Sequence, residues 1–257
     1  MAKLEIEVVP VLSDNYCYLL HEPRADVTGA VDVSDAGPIL ARLKERGGRK
    51  LDWVLITHEH GDHVAGVQEL KAATGCRVVG PRAAAAKVPG LDVPVGEGDR
   101  FSLGEAEARV FEAPGHAPGH IVYWFEDARA LFCGDVLFAL GCGRVFGGDF
   151  AQMWRSLAKL LPLPDDARVY CGHEYTLANA RFALSVDPDN PKLRERAAEV
   201  ERLHAAGKPT IPSTMGLERA TNPFLRVRDP SIRARLGLKD AGDAEVFAEL
   251  RRRKDAF

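Results

Sequence analysis

The chain has 257 residues, 46% apolar and 28% charged, which is the balance of a globular protein of one large or two moderate domains and disfavours disorder, collagen and coiled coil. Thirty-four basic against thirty-seven acidic residues give a net charge of -3, too weak a field to draw nucleic acid or anionic lipid, so neither is an expected partner. Five cysteines (Cys17, Cys76, Cys133, Cys142 and Cys171) lack any CxxC spacing, so no disulfide framework or structural zinc knuckle is indicated and a reducing compartment fits.

The opening MAKLEIEVVP carries acids early, and no stretch approaches the ~20 apolar residues of a membrane span, so a cytoplasmic location without a targeting segment is expected. Residues 4–10 and 16–21 read as strands around a Ser-Asp-Asn turn, with a third strand over 28–33. Helical spacing follows, with Ile39, Leu40 and Leu43 on one face and Gly47 or Gly48 as the stop. LDWVLIT, residues 51–57, is a continuous apolar run suited to a strand covered on both faces, and it runs directly into THEHGDH. VAGVQELKAATG reads as one helix closed by Gly75, and AAAAK at 83–87 as another. Strands are expected at 76–79, 107–113, 121–125, 130–134 and 168–172, alternating with helices. From residue 173 glycine thins out and helical patterns take over, including 191–207 with Asn190 and Pro191 as cap and first turn. This places a domain boundary between 1–172 and 173–257. The closing RRRKDAF is a basic helix end.

Three imidazoles and two carboxylates fall within His58-Glu59-His60-Gly61-Asp62-His63 at the end of the apolar strand. In an extended turn His58 and His60 can face one centre, while Asp62 and His63 face a second and Glu59 points away. A lone histidine is more often a satisfied core or surface residue, but three of the chain's eight are packed here. Imidazole and carboxylate without thiolate suits a catalytic zinc, iron or manganese site. Three further strand endings carry donors beside glycine: Gly115-His116, Gly134-Asp135 and Gly172-His173. Small residues there let the backbone turn and aim the side chain into a shared mouth. His120 competes with His116, and spacing does not choose between them; a supporting role is assigned to His120. His21 and His204 receive no function, and the cysteines read as small buried hydrophobes.

THEHGDH followed by GHAPGH, CGD and CGHEYT resembles the metallo-β-lactamase superfamily. LSDNYCYLL, GDVLFALGCGR, CGHEYTLANARFAL, PSTMGLERATNPFLR and RRRKDAF narrow the resemblance to the glyoxalase II (hydroxyacylglutathione hydrolase) family over essentially the whole chain. The resemblance implies an α+β fold, a four-layer αββα sandwich with a C-terminal helical domain that completes the substrate pocket. It implies two divalent metal ions, zinc first with iron or manganese as alternatives. One would sit on His58, His60 and His116, the other on Asp62, His63 and His173, with Asp135 bridging. A hydroxide between the metals, held by Asp62, Asp135, His58 and His60, would attack the thioester of S-D-lactoylglutathione, the second step of methylglyoxal detoxification. Glutathione-binding positions of the family fall on Arg144, Phe146, Tyr175, Asn179, Arg251 and Lys254. Arg144 stands where Lys is usual and Phe146 where Tyr is usual, which keeps a charge but removes a hydroxyl. A monomer is expected.

Two other readings compete. A persulfide dioxygenase of the same superfamily would hold a single iron, and the helical C-terminus argues against it. A silent binding module on the same fold would have no use for seven donors. The basic turn Arg251 to Lys254 can be read as a solvated helix end, yet residues 251 and 254 share a face and could hold glutathione's two carboxylates.

Overall fold

The computed structural model describes residues 4–146 and 149–257. Two compact units emerge from its packing, one comprising residues 1–112 and 117–134, the other 113–116 and 135–257.

In the first unit β1 (Glu5–Val11), β2 (Asn15–Glu22) and β3 (Val27–Val31) form an antiparallel meander. The sheet then continues in parallel through β4 (Trp53–Leu55), β5 (Arg77–Pro81) and β6 (Val93–Val95). The first parallel step is carried by α1 (Ala36–Glu45). Asp35 caps it by accepting from the Gly37 N–H, and Ile39 and Leu43 are buried. The second is carried by α2 (Gly61–Val64) and α3 (Val67–Thr74). The helix expected over 64–75 begins only at Val67, and Val64 instead ends α2. A Cβ at Gly66 would lie 2.8 Å from the Ala36 backbone nitrogen, so close packing on the start of α1 forces the break. Gly75 does close α3, in the left-handed conformation. Val9, Ala30, Val54, Ile56, Val67, Leu70 and Val78 share one core cluster, and Leu55, which lies outside it, is fully buried as well; burial on both faces explains the apolar run of LDWVLIT.

β7 (Arg100–Leu103), β8 (Ala106–Glu112), β9 (Ile121–Phe125) and β10 (Ala130–Gly134) pair in succession as a second antiparallel meander. The expected alternation of strands with helices fails here, since from β6 to β10 strand follows strand among the described residues. AAAAK is a 3-10 turn, Arg82–Lys87, kinked at Ala84, rather than an α-helix. Every residue of β9 and β10 is buried, and the Tyr123 hydroxyl donates to the Ile56 carbonyl at 2.9 Å.

The second unit opens its secondary structure with a hairpin, β11 (Leu137–Phe138) and β12 (Gly141–Cys142). α4 (Phe150–Leu160) follows, then β13 (Arg168–Cys171), α5 (Thr176–Val186) and α6 (Pro191–Ala205). β14 (Ser213–Thr214), α7 (Met215–Thr221), α8 (Pro230–Leu236) and α9 (Asp243–Ala256) complete it. Asn190 accepts from the N–H groups of Lys192 and Leu193, with Pro191 in the first turn, as the sequence indicates. Leu140, Ala180, Ala183, Leu193, Ala197 and Val200 make one core cluster. Phe224 meets Phe182 and Phe247, and Trp154 of α4 meets Phe247 of α9. That last contact explains why packing groups α4 with the C-terminal helices, well before the change in sequence texture at 172/173. No described helix is long and apolar enough to cross a membrane.

Candidate metal centre

Each unit carries its own set of donors. In the first, β4 gives way to Thr57, whose N–H and hydroxyl both donate to the Asp32 carboxylate at 2.8 and 2.7 Å. The chain is still extended at His60 (φ -66°, ψ 144°) and then coils into α2. His58 and His60 therefore leave extended backbone, whereas Asp62 and His63 share a helical turn instead of continuing the extended one the spacing suggests. His58 Nε2 and His60 Nδ1 approach to 3.1 Å. Two nitrogens at about 2.0–2.1 Å from one tetrahedral zinc would stand roughly 3.3 Å apart, so this pair fits a shared ion. Thr57 Oγ1 lies 3.0 Å from His58 Nδ1, and Asp32 Oδ2 lies 3.1 Å from His63 Nδ1. A hydrogen bond at Nδ1, as Thr57 gives His58, fixes the ring and leaves the opposite nitrogen for a metal. Ligand atoms of Asp32, His58 and His63 all fall within 4.8 Å of one another. Asn15 Nδ2 donates to Asp62 Oδ2 at 3.0 Å, and the Ser34 hydroxyl donates to the Asp62 carbonyl.

Glu59 is turned to Lys87, 3.4 Å away. His120 is fully buried, its ring stacked on His58 at 4.6 Å between centroids. Gly134 has φ +46°, and a Cβ there would stand 2.4 Å from Thr57 Oγ1 and 2.8 Å from His120 Nε2; only glycine serves at that strand end.

In the second unit His116, Asp135 and His173 meet although they are far apart in sequence. Asp135 Oδ2 lies 3.4 Å from His116 Nε2 and 3.2 Å from His173 Nε2. One carboxylate oxygen between two imidazoles suits an oxygen serving two centres. The Arg144 carbonyl accepts from His116 Nδ1 at 2.9 Å, so the proton sits on Nδ1 and Nε2 keeps its lone pair. Ser156 of α4 donates to the Pro114 carbonyl at 2.6 Å and ties down the 113–116 turn. His173 stacks on Tyr175 at 4.7 Å and 3°, with Phe138 edge-on to both.

The six candidate substrate residues differ sharply in exposure. Phe146 is 66% exposed, with its ring edge-on to His116, and Arg144 is exposed. Tyr175 is partly exposed. Asn179 is buried, its amide nitrogen donating to the Ala139 carbonyl at 3.1 Å. Arg251 is only 4% exposed and donates to the Cys142 carbonyl at 2.8 Å and to Asp255 at 2.9 Å. Arg144 Nε stands 3.8 Å from that same Asp255 carboxylate. Lys254 Nζ donates to the Ala178 carbonyl at 3.0 Å and lies over the rings of Phe182 and Phe257. Desolvation, with Arg251 and Arg144 nearby, holds the Lys254 ammonium below the usual lysine range. Arg252 and Arg253 both pair with Glu249 on the exposed side.

No disulfide joins the five buried cysteines. Burial pushes the Cys171 thiol up to about 12 and Cys142 to about 11, so neither supplies a thiolate nucleophile near neutral pH. Sequence reasoning missed Asp32, Asn15, Ser34 and Thr57. Asp32 carried the same signal as Asp135, an acid ending an apolar strand in AVDVS, but without a neighbouring histidine it went unread.

A model described as the metallo-beta-lactamase superfamily matches residues 29–173, and one described as the hydroxyacylglutathione hydrolase C-terminus matches 174–257. The chain is 58% identical over 254 residues to a hydroxyacylglutathione hydrolase of Methylococcus capsulatus, covering 99% of both chains. It is 52% identical over 255 residues to one of Brucella anthropi, covering 99% of this chain and 98% of the other. A solved structure of TTHA1623 in a di-iron-bound form matches with a TM-score of 0.58 and 27% identity, over 85% of this chain and 98% of that one.

Proposed function

This chain belongs to the hydroxyacylglutathione hydrolase family, with the α+β metallo-β-lactamase fold and its helical C-terminal domain, and we propose that it hydrolyses S-D-lactoylglutathione and similar 2-hydroxyacyl thioesters to the hydroxy acid and glutathione. The observation that carries this reading is Asp135 Oδ2 set between His116 Nε2 and His173 Nε2. That oxygen would bridge two ions, one on His58, His60 and His116 and the other on Asp62, His63 and His173. Zinc suits the imidazole and carboxylate donors, which also accept iron or manganese. When bound, such a pair of ions supplies Lewis acidity at the thioester carbonyl and lowers the pKa of water toward neutrality.

The protein's part is orientation. The Arg144 carbonyl holds His116 in the tautomer that leaves Nε2 for metal, and the Asp32 carboxylate stands beside His63 Nδ1. The leaving glutathione thiol has a pKa near ~8.5, so its departure needs no protonated side chain, in keeping with donors that are all engaged in binding. Arg144, Arg251 and Lys254 would hold the remote carboxylates of glutathione. Phe146 and Tyr175 would line its stem without the hydroxyl common at 146, and Asn179 would support that wall through Ala139. We propose 1–172 as the catalytic domain and 173–257 as the substrate-binding domain of a cytoplasmic monomer. Elemental analysis of purified protein alongside turnover of S-D-lactoylglutathione tests this. Two metals per chain with release of thiol is the expected result. One iron with oxygen uptake, or no thioester cleavage by metal-loaded protein, would overturn it.

A further inference from the structure

The hairpin β11–β12 is tied down through its backbone by side chains distant in sequence. Glu218 accepts from the Leu140 N–H at 2.9 Å. The Asn222 amide nitrogen reaches the carbonyls of Phe138 at 3.2 Å and Gly141 at 2.9 Å, and Glu218 Oε2 at 3.0 Å. Asn179 takes the Ala139 carbonyl and Arg251 that of Cys142. Glu218 and Asn222 are completely buried, one helical turn apart at α7 and its C-terminal end. Glu218 is neutralised by Arg196 at 2.5 Å and by the Ser213 hydroxyl; Arg196 also donates to Thr221 at 2.6 Å.

The turn needs such support. Leu140 sits at φ +59°, where a non-glycine residue is strained. The two-residue hairpin turns favoured on their own put positive φ at both central residues or at the first, whereas here it falls on the second. What the hairpin joins gives the tie its consequence. Asp135 stands two residues before it and Arg144 two residues after, with Gly143 folded back so tightly that a Cβ there would collide with the Asp135 carbonyl. The Asp135 carboxylate and the Arg144 carbonyl that orients His116 are therefore placed by one short segment.

We propose that Glu218 and Asn222, backed by Arg196, are positioning residues: they lock the 137–142 hairpin before metal arrives and so set Asp135 and His116 as ligands. This rests on the two-metal reading above. Two measurements test it. In metal-free wild-type protein, hydrogen exchange at the amides of 140–142 should be as slow as in α5. Fast exchange there with α5 still protected would mean that metal, not the side-chain tie, sets the hairpin, and would overturn the proposal without any variant. In metal-loaded protein, Asn222→Asp keeps the side chain's shape and its bond to the Phe224 N–H but replaces two amide donors with a carboxyl group that offers at most one and faces the Glu218 carboxylate and two carbonyls. It should release metal to a chelator about tenfold faster, the lower end of what outer partners of metal ligands contribute. Arg219→Ala is the control, since Arg219 is on the same helix and ties the carbonyls of Leu161 and Leu163; it should lower Tm and leave metal release unchanged. Equal release from both variants at matched loss of Tm, or wild-type release from Asn222→Asp, would reduce the network to general stability. Wild-type protein lacking two metals would instead sink the functional reading, while the exchange result would stand by itself.

Discussion

Unit 1 offers His58, His60, Asp62 and His63 from one strand-to-helix turn, whereas unit 2 assembles His116, Asp135 and His173 from three loops that are distant in sequence. In the first, covalent geometry does most of the placing, and Asp32, Thr57, Asn15 and Ser34 refine it. In the second, nothing local places the donors. The 113–116 turn depends on Ser156, Asp135 on a hairpin held by α7, and His173 on the end of β13. Closing long loops costs conformational entropy that tertiary contacts must offset. Damage to unit 1's supports should therefore be graded, while losing a donor in unit 2 should be severe.

The severest test of that contrast is Asp135→Ala. We expect loss of at least one metal and a fall in kcat of about 3 orders of magnitude, several kcal/mol of charge stabilisation at 1.36 kcal/mol per decade. Two metals per chain at wild-type rate would break the bridging assignment. Next comes Asp32→Ala, which strips support from His63 and Thr57 without removing a proposed ligand. Metal affinity measured by competition with a chromophoric chelator should fall about 10–100-fold. A loss as complete as that of Asp135→Ala would erase the difference between the units.

A smaller effect is expected at the basic helix end. Lys254→Ala should raise KM for glutathione thioesters by about tenfold, a charge-assisted contact of about 1.5–3 kcal/mol weakened by partial exposure, with less change in kcat. Because its pKa is depressed, the ammonium loses its proton at lower alkaline pH than an ordinary lysine. KM of the wild type should climb there, and that climb should vanish in Lys254→Ala. Arg251→Ala should also raise KM, but with a drop in Tm, since its guanidinium holds the Cys142 carbonyl and Asp255. A KM that ignores Lys254 and Arg251 would return this turn to a solvated helix end. The smallest effect belongs to Arg252→Ala and Arg253→Ala. Each breaks a surface pair with Glu249 worth no more than about 1 kcal/mol, and KM should be unchanged.

The sequence by itself determined the parts governed by local rules. The period-two and continuous apolar runs located β9 and β10 to the residue, the Asn190–Pro191 cap began α6 correctly, and the density of donors in THEHGDH marked the turn where the rings of His58, His60 and His63 cluster. Tertiary structure decided the rest. AAAAK and VAGVQELKAATG have helical composition, but packing at Gly66 and the kink at Ala84 overrode propensity, which is worth only tenths of a kcal/mol per residue. Helical spacing put residues 251 and 254 on one face. It gave no sign that Arg251 turns inward to a carbonyl of the hairpin while Lys254 stays half-exposed. Asp32, Glu218 and Asn222 look in sequence like ordinary polar residues, because the backbone groups that give them their roles, at Thr57, Leu140, Phe138 and Gly141, lie 25 to 84 positions away. A buried carboxylate or amide is defined by what surrounds it, and that is fixed only when distant segments close on one another.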